Sequence, residues 1–223
     1  MFTKVGIGQW CGFLFLFVLL STLLSESQSG VALDDDDVSG ALGQVAQSSS
    51  RFRASVVLNL ASHVGIVALS AALYLAFHPY NRTLALLGTL WRAAEGTIMA
   101  LNEVNSILVH SVAQRFVAAT AGEASALEAE GRTLMLAKDW GYKIGLAFFV
   151  LGSLTYGVVF LSSGVVPRAI AWFGIGASLL GSATVWLHLL NPSVSVAGSF
   201  ALLPYEVVLG VWLLLRGSQI GVP

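Results

Sequence analysis

Arg92 and Glu95 stand three residues apart inside an otherwise apolar stretch, and Glu206 stands inside another. A charged side chain in hydrocarbon costs about 2.5–3.5 kcal/mol on insertion scales, so it persists where it pairs, faces protein or water, or serves a function. One guanidinium with two carboxylates can hold a proton, hold an ion, or clamp helices together by charge. A second polar set offers a pair of acids, a base and an amide: Asn102 and Glu103 near the end of the stretch that holds Arg92, and Asp139 and Lys143 at the start of a further one.

These residues need helices to position them. Six apolar stretches have about the 20 residues that a helix needs to cross a bilayer: residues 5–24, 54–77, 84–109, 140–161, 169–190 and 199–215. At about 100° per residue, Arg92, Glu95, Asn102, Glu103, Ser106 and His110 fall within an arc of roughly 100° on the third stretch. Ile98, Leu101, Val104, Ile107 and Leu108 fill the opposite face, and Asn105 lies outside the arc. Arg92 lies ten residues after the basic turn at Arg82, and Glu206 lies ten before Arg216. At 1.5 Å per residue both are about 15 Å from the same face, near the midplane. Two clusters are therefore predicted: Arg92/Glu95/Glu206 at the centre, and Asn102/Glu103/Asp139/Lys143 towards the opposite mouth. Neutrality at the centre calls for a proton on one of the two carboxyls, because a surplus buried charge is costly.

Composition agrees with a membrane chain. Of 223 residues, 56% are hydrophobic and 10% charged, against about 45–50% and about 25% in soluble domains. Mean hydropathy is +0.80. A net charge of −1 supplies no basic field for nucleic acid. The single cysteine, Cys11, excludes an intrachain disulfide and a cysteine metal cluster. The histidines lack the i,i+4 spacing of a helical metal site. No metal or cofactor is expected. His63 is read as an interhelical hydrogen-bonding residue, and the Gly174, Ala177, Ser178, Gly181 face as a close-packing surface. Asp34 to Asp37 lacks the spacing and terminal glutamate of an EF-hand loop and reads as solvated acid.

The expected organisation is one all-α membrane domain, residues 1–223, with about six helices in one bundle. Residues 25–53 form a polar acidic connector. Residues 114–138 form a second connector, rich in alanine and glutamate and able to extend a helix. The first stretch is read as a retained helix in preference to a cleaved signal peptide, on its length. With six spans the termini share a side. Lys4, Arg82, Arg168 and Arg216 lie in short connectors without acids on that side, which favours cytoplasmic termini.

Several patches resemble the bacterial membrane family catalogued as domain of unknown function 4386. They are Trp91-Arg92-Ala93-Ala94-Glu95; Asp139-Trp140 through Gly152, Tyr156 and Gly157; Val165 to Ala171 with Gly174 and Gly176; and Pro204 to Leu213 with Arg216-Gly217. The resemblance covers about residues 50–217. It implies a six-helix, multi-pass protein of the inner membrane and no particular activity. Its recurring arginine and glutamates fall on Arg92, Glu95 and Glu206.

Three readings follow. The leading one is a structural or regulatory membrane module whose charges clamp the bundle. The alternative is a small transporter or channel with a midplane proton or ion site at Arg92, Glu95 and Glu206. An intramembrane enzyme is the least favoured, since no nucleophile–base pair or metal signature supports it. The lipid bilayer is the expected partner, with a homo-oligomer or another membrane protein left open.

Overall fold

The computed structural model describes residues 6–29, 33 and 37–220, and among these it contains helices and no strand. The helices are α1 (Ile7–Ser29), α2 (Val38–Gln47), α3 (Ser49–Phe77), α4 (Arg82–Val117), α5 (Ala121–Ser163), α6 (Arg168–Leu190) and α7 (Leu202–Arg216). A 3-10 segment, Val196–Ala201, leads into α7. Five helical segments are long and apolar enough to cross a membrane: α1, α3, α5, α6 and Val196–Arg216. The sixth expected stretch lies in α4, which is 36 residues long and carries the charges.

Local chemistry sets the helix ends. Asn81, the asparagine of an Asn-Arg-Thr sequon, accepts a hydrogen bond from Leu84 N (3.0 Å) and so caps α4. Gly164 adopts φ +66°, the left-handed conformation that ends α5 without a Cβ clash. Thr120 and Glu123 open α5 as a capping box: Glu123 Oε2 accepts from Thr120 N (3.1 Å) and Thr120 Oγ1 (2.9 Å).

Two connectors are more ordered than their composition suggests. The 25–53 connector contains α2 and the first turn of α3. Asp37 caps α2 by accepting from Gly40 N (3.0 Å), while Asp34 to Asp36 lie outside the described residues. The 114–138 connector is helical over most of its length, continuing α5 outward without a break. Val38, Leu42, Val45, Phe52, Val112 and Leu127 form a second apolar core there, beyond the main one. Amphipathic spacing at positions 38, 41, 42 and 45 explains it, since one face of α2 has apolar surface to bury.

The long helices form a ring in which α1 packs on α3, α3 on α4, α4 on α5, α5 on α6, and α7 lies against α6 and α1. α1 is thus part of the bundle, with Cys11 fully buried. Small residues permit the closest approaches: a Cβ on Gly174 would strike the Tyr205 ring, and one on Gly181 would press on Val150 and Ser199. The apolar face of α4 (Leu101, Val104, Ile107, Leu108) points away from the ring and is exposed.

Candidate functional site

Arg92, Glu95 and Glu206 come together inside the helix ring. Arg92 Nη1 lies 3.0 Å from Glu95 Oε2, one turn along α4. Arg92 Nη2 lies 3.4 Å from Glu206 Oε1 on α7. All three residues are buried, at 3%, 4% and 9% exposure. The guanidinium sits over the Phe149 ring of α5, 4.9 Å from its centroid. Gly152 supplies the space, since a Cβ there would come within 2.8 Å of the arginine's Cγ and Cδ.

The second cluster differs from the expected one. Glu103 does not pair with Asp139 or Lys143; those two pair with each other, one turn apart on α5. Glu103 Oε1 instead faces Lys138 Nζ at 3.5 Å, His63 Nε2 at 3.7 Å and Asn59 Nδ2 at 3.3 Å. Lys138 Nζ also donates to Ser106 Oγ. Asn102 donates to the Lys138 carbonyl (2.8 Å) and accepts from Asn105 Nδ2 (2.9 Å), so Asn105 joins the network from outside the polar arc. The physical reason is helix continuity. With residues 121–138 helical, Lys138 faces the ring interior and takes the place expected of Lys143.

His63 reaches across to Glu103 of the neighbouring helix, but at 3.7 Å, beyond the hydrogen-bond distance that its sequence position predicts. The sequence carried further signals. Asn59, Ser62, His63 and Ile66 share one face of α3, and Lys138, Tyr142, Leu146 and Phe149 share one face of α5. Both stripes mark the walls of a single cavity.

That cavity has a volume of about 390 Å³ and joins the two clusters. In order along the helices, Lys138 and the exposed Asp139 and Glu26 line one end, termed the mouth; His63, Asn102 and Glu103 line the middle; and the buried Arg92, Glu95 and Glu206 line the other end, termed the floor. Ile66, Met99, Leu146, Phe149 and Leu203 make most of the wall apolar. Below the floor the bundle closes on a small void beside Arg92, Tyr156 and Glu206. Tyr156 Oη hydrogen bonds with Thr89 Oγ1 (2.7 Å) and donates to the Ala85 carbonyl (3.2 Å), fastening α5 to α4. Phe77 and Phe160 meet edge to face at 4.8 Å further down.

Polar atoms along the cavity are incompletely satisfied. Arg92 Nη1, Glu95 Oε2, Glu103 Oε2 and His63 Nδ1 are buried and have no hydrogen-bond partner among the described residues. The Arg92–Glu95 approach is therefore an ion pair without hydrogen-bond alignment. Orphaned polar atoms beside a cavity are groups that a bound water or ligand can satisfy. No three His, Cys, Asp or Glu side chains converge as a metal cage among the described residues.

Taken together these features define an all-α, multi-pass membrane protein with a polar-floored cavity inside its helix ring. The chain belongs to the family described as domain of unknown function (DUF4386), whose profile matches residues 10–217. The match takes in α1, which the sequence resemblance did not cover. No curated protein and no solved structure matches the chain.

Proposed function

We propose that this protein binds a small solute in its central cavity and carries it, or a proton, across the membrane. The cavity running from Lys138 and Asp139 to Arg92, Glu95 and Glu206 carries this reading. A static clamp has no need of a solvent-sized space beside its charges, nor of a buried acceptor such as Glu103 Oε2 left without a hydrogen bond. In this reading α4 is a sixth span, and its charged face is turned to the cavity. The inner membrane is the proposed location, with both termini cytoplasmic and the mouth on the opposite side.

A clamp remains the second reading, favoured by one observation: Arg92 bonds α4 to α7 and stacks on α5 at once. Cysteine accessibility separates the two. In a Cys11→Ser background, Ser62→Cys places a thiol on the cavity wall. A membrane-impermeant thiosulfonate should label it from the long-connector face and not from the terminal face. A thiol that resists the reagent from both faces overturns the cavity reading. Carried solute adds a second requirement: in proteoliposomes, Glu206→Gln should abolish proton-coupled flux, and unchanged flux counts against transport.

A further inference from the structure

We infer that the cavity takes an organic monocation, which enters as one proton leaves the Glu95–Glu206 pair. This rests on the cavity reading and names its ligand class.

Charge at the floor is unbalanced. One guanidinium faces two carboxylates, at 3.0 Å and 3.4 Å. With all three ionised, a surplus negative charge is buried, which only a proton or a second cation can neutralise. The two neutralising species occupy the same role and exclude each other. A cation arriving beside Glu95 and Glu206 expels the proton, which leaves by the mouth to solvent, and net charge at the floor is unchanged.

The remaining features choose among cations. An anion would have to displace two carboxylates already flanking Arg92, and Lys138 is likewise engaged by Glu103 and Ser106. A bare metal ion would need a set of oxygen or nitrogen ligands, and no such set converges among the described residues. The wall is mainly apolar, with Tyr142 and Phe149 presenting rings. Apolar walls with a few convergent polar groups suit an organic molecule, and about 390 Å³ falls in the range of small-molecule sites. A cationic head at the carboxylates and an apolar body against Ile66, Met99 and Leu146 meets each requirement.

Other charged and titratable groups face the same space from the surrounding helices. Glu26 comes from α1, His63 from α3, Glu103 from α4, and Lys138, Asp139 and Tyr142 from α5. Tyr205 lies next to Glu206 on α7, and Tyr156 of α5 borders the small void just below the floor with Arg92 and Glu206. The mouth groups lie more than two helical turns above the triad, so their titration adds to the salt and pH dependence of entry. The exchange itself belongs to the floor.

The test uses the full chain in detergent. Tetraphenylphosphonium and tetraphenylborate share shape and differ in sign, and calorimetry in two buffers of different ionisation enthalpy counts protons. The cation should bind, release close to one proton, and weaken up to tenfold for each pH unit of acidification where the pair is protonated. The borate should not bind. Glu95→Gln and Glu206→Gln should each lower cation affinity at least tenfold and abolish proton release. Leu146→Trp, which fills the cavity and leaves the triad intact, should also block binding, so a poorly folding glutamine variant does not decide the outcome. Equal binding of both ions, or cation binding without proton release and indifferent to both glutamines, overturns the assignment. So does the absence of binding by either ion when Ser62→Cys still labels; that result leaves the cavity standing and removes its cation. Failure of Ser62→Cys to label removes the cavity reading itself.

Discussion

The two halves of the bundle solve the same packing problem differently. On the terminal side, α1 and α7 touch through glycine: a Cβ on Gly12 would overlap Leu214 N and the Gly210 carbonyl, and one on Gly8 would overlap Gly217. Aromatic rings fill the rest, with Tyr156 stacked on Phe160 within α5 and Phe160 meeting Phe77 of α3 edge to face. On the connector side, long polar side chains stand between the helices, and space remains among them. Lipid gives no hydrophobic drive for helices to associate, so close backbone approach supplies the cohesion where residues are small. Where residues are long and charged, ion pairs and hydrogen bonds must do so, and they leave room.

Perturbing each half tests that contrast. The largest effect is expected at the boundary. Arg92→Ala leaves Glu95 and Glu206 without their counter-charge and should cost about 3–5 kcal/mol, read as a lowered midpoint of thermal unfolding in detergent. Adding Glu95→Gln and Glu206→Gln to it should recover much of the loss. A single Arg92→Ala variant as stable as the parent would show that the guanidinium holds nothing together.

Next comes the dry half. Gly12→Val should push α1 off α7 and cost about 1–3 kcal/mol by overpacking. The same change at Gly176, where a Cβ meets open space, should barely move the midpoint. Comparable losses at both positions would erase the distinction between a close helix contact and a lipid-facing glycine. Tyr156→Phe should cost about 1 kcal/mol through its bonds to Thr89 and Ala85.

The smallest effect lies outside the membrane. Thr120, through its backbone N–H and hydroxyl, holds the Glu123 carboxyl below its usual range. Because the folded value is depressed, this contribution is fully present above the ordinary carboxylate value of about 4.3. It disappears as pH falls through the lower folded value. Protection against hydrogen exchange at the first turn of α5, measured relative to the intrinsic rate at each pH, should fall on acidification, and Glu123→Gln should remove most of that acid dependence. An unchanged acid response in the variant would assign it elsewhere.

The contrast also explains what the sequence could disclose. Helix content and the central triad were legible because both follow from simple periodicities: apolar run length gives the helices, and 1.5 Å per residue sets Arg92 and Glu206 at equal distances from Arg82 and Arg216, so that they can meet. The mouth was harder. Lys138 falls in a connector that is polar by composition, and its role depends on α5 staying helical through alanine- and glutamate-rich sequence whose few large apolar residues include Leu127 and Met135, buried against α2 and the ends of other helices. Asn59 and His63 are single polar residues in an apolar helix, so their convergence on Glu103 requires knowing which face of α3 turns inward. α2 was hidden because its ten residues bury their apolar face only against the ends of three other helices.

One element joins both halves. α5 runs 43 residues without a proline, a rod of about 65 Å. Its outer end packs in the second apolar core through Leu127 and Met135, its middle carries Lys138 and Phe149, and its inner end holds Tyr156 and Phe160. A rod without a joint cannot adjust these places one at a time. Rolling it by a quarter turn at the outer end would withdraw the lysine from the mouth, the ring from beneath the arginine and the phenol from its anchor together. Entrance and floor are thus geared to one shaft, and whatever grips its outer end has mechanical purchase on both.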